Sequence, residues 1–167
     1  IYVENKTKDL KEIKNYVTKP FDIHLMVDDV LKYIKNYQEL NPEYITFHLK
    51  TKDKVSEVIS YLKNNNIKIG IALNPEENVE EILPYLNEID LVLIMSVHPG
   101  KGGQKFIPEV LEKVDYLSKI EDRKFLISID GGINDSNIKL CNKCDIVVVG
   151  SFITNGNFQK QIKKLEI

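Results

Sequence analysis

Apolar residues come in short unbroken bursts along this chain, and between the bursts they recur at every third or fourth position. The clearest burst is Leu91-Val92-Leu93-Ile94-Met95-Ser96-Val97, which predicts a strand buried on both faces, as in a parallel sheet. A glycine-rich turn follows, His98-Pro99-Gly100-Lys101-Gly102-Gly103-Gln104-Lys105, and then helical spacing from Phe106 to Leu117 through Val110, Leu111 and Val114. The stretch therefore predicts strand, loop and helix. Clustered glycines either punctuate the turn or bring backbone N–H groups close to an anion. The spacing matches neither the P-loop nor the G-x-G-x-x-G fingerprint, so a bound nucleotide is not favoured.

The same alternation runs through the rest of the chain. A lysine-rich helix is expected over Asp9 to Val17, then a strand from Phe21 to Val27 and a helix from Val30 to Leu40. Strands follow at Tyr44 to Leu49 and Ile67 to Leu73, with helices at Val55 to Leu62 and Val79 to Leu86. Beyond the central loop come a strand at Lys124 to Asp130, a short helix near Ser136 to Leu140, a strand at Ile146 to Val149 and a last helix from Phe158 to Leu165. Strand starts recur about every 22 to 24 residues, with one longer step, which is the period of βα units. Alternating strands and helices give a parallel sheet, either open and doubly wound or closed into a barrel. His24, His48, Met95 and Asp130 all fall at C-terminal strand ends, and a barrel gathers such ends around one mouth. The expected fold is thus α/β, a (β/α)8 TIM barrel. Such a barrel usually has at least about 200 residues. We expect the first two strands to be missing from this chain, with residues 1–167 forming a single partial barrel domain and Ile1 to Asn5 the loop after the second strand. Residue 1 is Ile rather than Met, so the true start is expected upstream, or the chain is processed.

Composition adds limits. The 167 residues are 43% hydrophobic with net charge −2, which gives no basis for nucleic-acid binding, and no apolar run is long enough to span a membrane. Arg123 is the only arginine, so an anion would be held by backbone amides and lysines and not by a guanidinium fork. Two cysteines and no signal peptide suggest a reducing, cytoplasmic setting. Cys141 and Cys144 form a lone C-x-x-C, expected to be an incidental helix end.

Taken singly, the polar and sulfur positions have ordinary explanations. A histidine such as His24 on an apolar strand is commonly a satisfied core residue, and Met26 and Met95 would be core filler. Asp130 before Gly131-Gly132 is equally a turn former. His48 and His98 are evenly placed between structure and site, and Asn74 could hold a loop or touch a ligand.

Taken together, the pieces point further. Asp22-Ile23-His24-Leu25-Met26-Val27, Ile45-Thr46-Phe47-His48, Ala72-Leu73-Asn74-Pro75, the run from Met95 to Phe106, Asp130-Gly131-Gly132-Ile133 and Val149-Gly150-Ser151 resemble, in order and spacing, the ribulose-phosphate 3-epimerases. The resemblance implies a ribulose-phosphate-binding barrel that inverts carbon 3 of a sugar phosphate, turning D-ribulose 5-phosphate into D-xylulose 5-phosphate in the pentose phosphate pathway. It implies that His24 and Asp130 ligate a divalent metal (zinc, iron, manganese or cobalt) and that Asp130 also transfers a proton. Met26 and Met95 would line the enediolate site. Gly102, Gly103, Gly131, Gly132, Gly150 and Ser151 would give amides to the phosphate, with His24 against the substrate and His48, Asn74 and His98 as further lining.

Two departures stand out. Lys101 occupies a position where an aromatic residue is usual, and no H-x-D-x-M-D-G segment is present, which removes a metal-ligating histidine and the opposite catalytic aspartate. The chain as given is therefore expected not to invert its substrate, because inversion needs an acid or base on each face of the planar intermediate. Alternatives are a 3-epimerase of a six-carbon ketose phosphate and a noncatalytic sugar-phosphate-binding remnant. An orotidine-decarboxylase-like barrel is disfavoured, since no D-x-K-x-x-D stretch occurs. The expected partner is a small sugar phosphate, and a homo-oligomer is left open.

Overall fold

A computed structural model describes residues 16–166. The expected loop Ile1 to Asn5 and nearly all of the helix Asp9 to Val17 lie outside the described residues. Six strands follow one another, β1 (Asp22–Leu25), β2 (Tyr44–His48), β3 (Lys68–Leu73), β4 (Leu91–Met95), β5 (Leu126–Asp130) and β6 (Ile146–Val148). Their order in the sheet is their order in the chain, and every neighbouring pair is parallel. A doubly wound sheet reverses its strand order at a switch point, and this one never does. With one hand of crossover throughout, the helices cover a single face and the other face curls inward as part of a TIM barrel.

The side-chain period of two divides the sheet into those faces. Outward go Ile23, Leu25, Ile45, Phe47, Ile69, Ile71, Val92, Ile94, Ile127 and Ile129, which pack against helical residues such as Ile34, Ile59, Leu62 and Val114 in the main core. Inward go Ala72, Leu91, Leu93, Met95 and Val97, with Met26, Tyr44 and Ile146 packed on them in a second, smaller cluster. Met26 follows the first strand and Ile146 opens the last, and both pack on this one cluster from β3 and β4, as a curled sheet allows.

The helices are α1 (Val30–Tyr37), α2 (Val55–Asn64), α3 (Leu111–Ser118), α4 (Ser151–Thr154) and α5 (Phe158–Leu165). α1 buries Val30 and Ile34, spaced by four, and its first turn is capped from a distance: Asp53 Oδ2 accepts the Leu31 N–H at 3.0 Å. The helix expected from Val79 is a 3-10 helix over Val79–Tyr85, because Pro84 supplies no N–H and crowds the preceding turn. The helix expected from Phe106 begins with a 3-10 turn at Pro108–Val110 and becomes α-helical only at Leu111. The short helix near Ser136 is also 3-10, over Ile138–Cys141. Both thiols are free, and burial pushes the Cys144 pKa up to about 12.

At the N-terminal end of the strands, acidic side chains tie neighbours together. Asp90 Oδ2 accepts the Ile69 N–H and Asp145 Oδ2 the Ile127 N–H, each at 2.8 Å. Arg123 forks onto Asp145 at 2.9 and 3.0 Å and also donates to the Phe125 carbonyl. The one guanidinium is thus committed at the end opposite the strand C-termini, and no arginine is left for the mouth.

Candidate active site

The segments after β4, β5 and β6 enclose one cavity of about 520 Å³, a size that suits a small ligand. Met26, Met95 and Val97 form its apolar wall, and Asp130 ends the strand at its floor. Three glycine turns, at Gly102-Gly103, Gly131-Gly132 and Gly150-Ser151, form its rim, with His98 and Lys101 beside them.

Asp130 and Met95 are register partners across β4 and β5, so carboxylate and thioether face the same interior. No described residue donates a hydrogen bond to the Asp130 carboxylate. Burial raises its pKa above the usual carboxylate range, and the charge of Asp22 adds to the rise. A carboxylate so placed is a ready proton acceptor.

The glycine turns are held from behind. Gly131 and Gly132 have φ of +130° and +64°, conformations that side chains rarely adopt. A Cβ on Gly132 would lie 2.5 Å from the Phe106 nitrogen and 2.7 Å from the Gln104 carbonyl oxygen, so the two loops meet backbone to backbone. Gln104 Nε2 donates to the His98 and Lys101 carbonyls at 2.6 and 2.8 Å and pins the preceding loop. By contrast, a Cβ on Gly102 or Gly103 would meet no protein atom within 4 Å.

A second cavity of about 410 Å³ shares Met26, Pro99 and Gly100 with the first and is lined by His48, Lys50 and Asn74. His24 lines neither cavity. Its ring stacks on His48, centroids 4.9 Å apart, with the two Nε2 atoms 2.9 Å from each other. Burial first, and the neighbouring His48 second, bring the His24 pKa down to about 3. Burial also lowers that of His48, against the opposing pull of Asn74 and Glu76. Asn74 itself is fixed by the buried Glu77, whose carboxylate accepts the Asn74 N–H at 2.8 Å and its Nδ2 at 3.2 Å. Asn74 Oδ1 is left buried without a regular hydrogen bond. His98 is exposed, and its Nδ1 lies 3.3 Å from Glu76.

The chain and its parallel barrel sheet have clear relatives. The model of the ribulose-phosphate 3 epimerase family matches residues 1–154. The chain belongs to this family. The ribulose-phosphate 3-epimerase of Helicobacter pylori is 37% identical over 174 residues, which cover 99% of this chain and 78% of that protein. Two solved structures share the fold at low identity. 3-Hexulose-6-phosphate synthase from Salmonella typhimurium superposes with a TM-score of 0.73 at 18% identity, over 93% of this chain and 76% of that one. KGPDC from Streptococcus mutans, solved as a complex with a sugar phosphate, gives a TM-score of 0.63 at 16% identity, over the same shares.

Family membership raises the question of a metal. Catalytic metal sites commonly take three protein ligands. Among the described residues no group of three or more His, Cys, Asp or Glu is gathered for one. His24 and Asp130 are suitable donor types, but His24 turns its Nε2 to His48. The described residues therefore do not by themselves make up a metal site.

Some participants do not stand out in the sequence pattern. Lys50 follows His48 by two and so falls on the inward side of the same run, a period-two signal that could have found it. Glu77 and Lys113 carry none, because the backbone carbonyls of Asn74 and Pro75, which Lys113 holds at 2.8 Å, are invisible in a sequence pattern.

Proposed function

We propose that this site binds a ketose 5-phosphate, its phosphate on the amides of the three glycine turns, and that Asp130 moves the proton at carbon 3 in the interconversion of D-ribulose 5-phosphate and D-xylulose 5-phosphate. The observation that carries this reading is the joint placement of the desolvated Asp130 carboxylate and all three turns around one cavity. Asp130 takes the carbon-bound proton, and its raised pKa brings it nearer the operating pH, where general bases work best. Met26 and Met95 exclude water and offer no competing acid. Backbone amides replace the absent arginine as phosphate ligands.

Asp130 is the single carboxylate lining that cavity among the described residues. The proposal therefore gives these residues proton exchange on one face of carbon 3, with inversion awaiting a second acid. The divalent metal implied by the resemblance would draw on His24 and Asp130 and would need ligands beyond the described residues.

Titration of the isotopically labelled chain with ribulose 5-phosphate tests the placement. Amide shifts at Gly102, Gly132 and Ser151 that saturate together support it, and shifts confined elsewhere contradict it. A six-carbon ketose 6-phosphate is a second reading, favoured by the adjoining cavity at His48, Lys50 and Asn74, which offers room for one more carbon. Tighter binding of the six-carbon sugar in the same titration would select it.

A further inference from the structure

We propose that Ser96 is a positioning residue for the phosphate-facing amides of the turn that follows Asp130. This rests on the function proposed above. Ser96 interrupts an apolar run just after β4, in step with Val92 and Ile94 of the outward face, where period two calls for a hydrophobe. It is fully buried. A buried hydroxyl in such a place needs a partner, and Ser96 makes an unusual pair of bonds. Its backbone N–H donates to the Asp130 carbonyl at 2.8 Å, and its Oγ donates to the Gly131 carbonyl, the next one along, at 2.7 Å. One residue thus fixes two successive peptide planes.

The consequence follows from peptide geometry. In a planar trans peptide the C=O and the following N–H point opposite ways. With the Gly131 carbonyl turned back to Ser96, the Gly132 N–H faces away from it. The Gly132 carbonyl is taken in turn by Asn137 Nδ2 at 3.0 Å and Asn134 Nδ2 at 3.3 Å, which orients the Ile133 N–H. Neither N–H has an acceptor among the described residues. The left-handed turn at Gly131 and Gly132 is therefore held open from behind by side chains, with its donors free for an anion.

The test compares the unaltered chain with S96A, S96C and S96T, following inorganic phosphate binding by NMR together with the melting temperature. Cysteine keeps the volume but is a weak donor, and threonine restores the hydroxyl. The expected result is a folded S96C that binds phosphate about tenfold more weakly, with a displaced Gly132 amide resonance, and recovery in S96T. A residue needed only for stability would lower the melting temperature and leave phosphate affinity in the folded state unchanged, and that outcome would overturn the proposal. Unfolding of S96A and S96C alike would overturn it too, since it would make the hydroxyl a requirement of the fold. If the unaltered chain binds no phosphate at these turns, the phosphate reading itself fails and takes the role of Ser96 with it.

Discussion

His24 and His48 stack so closely that their Nε2 atoms are 2.9 Å apart, and one of them must donate while the other accepts. Burial holds both pKa values below the ordinary 6.5, so both rings are neutral in the folded chain near neutral pH. The His24 pKa falls to about 3, from an ordinary value of 6.5, mainly through burial. In the unfolded chain the ring takes its proton as pH drops below that ordinary value, while in the folded chain it resists until about 3. The stability this gives is fully present above 6.5 and is lost as pH falls through that window. Denaturant unfolding followed against pH should show this loss, and H24N should flatten the slope. A proton NMR titration in which His24 protonates near its ordinary value would contradict the account.

Asp130 should show the opposite sign. Its folded-state pKa is raised by burial, so its contribution to stability is present in acid and is lost as pH rises through the folded value. Asp130→Asn should accordingly stabilise the chain at neutral pH, with the gain vanishing in acid. Equal melting temperatures at neutral pH would show that the carboxylate is not desolvated.

The glycine turns separate fold from ligand. Gly132→Ala places a Cβ 2.5 Å from a backbone nitrogen at φ +64° and should destabilise the chain, by about 1–3 kcal/mol for the backbone conformation alone. Gly102→Ala meets no protein atom and should melt like the unaltered chain, yet bind inorganic phosphate about tenfold more weakly because the methyl group blocks the amide. Calorimetry on both variants checks the contrast.

Much of this was legible in the sequence because period two and period 3.6 are imposed by burial alone. The uninterrupted run from Leu91 and the alternating β1 and β2 segments gave the strands, and the clustering of polar residues at strand ends gave the barrel over the open sheet. α5 was bounded as found, Phe158–Leu165, since its apolar positions repeat cleanly. Helix type was less legible: Pro84 imposes a 3-10 helix through a hydrogen bond it cannot make, and α4 at Ser151–Thr154 is too short to show a period. Within the site, the glycines and Asp130 could be read because their chemistry is in their identity. The pairing of His24 with His48 could not, since it depends on two side chains from neighbouring strands choosing each other. Ser96 carried a signal, a hydroxyl in an apolar run, whose meaning needed the Gly131 carbonyl in place.

The thiols offer a smaller check. With the Cys144 pKa pushed up to about 12 by burial and that of Cys141 also raised, neither should form thiolate at neutral pH. Iodoacetamide should leave both unmodified in the folded chain and label both on unfolding, and rapid labelling of the folded chain would reopen a redox or metal role for this pair.

The most direct measurement is proton exchange at carbon 3. Ribulose 5-phosphate is incubated in deuterated water with the chain and with Asp130→Asn, and the C3–H signal is followed by NMR. The signal should decay with the unaltered chain, without xylulose 5-phosphate accumulating at an ordinary enzymatic rate, and Asp130→Asn should leave it at the uncatalysed rate. Exchange as fast in Asp130→Asn as in the unaltered chain would contradict the assignment of the base.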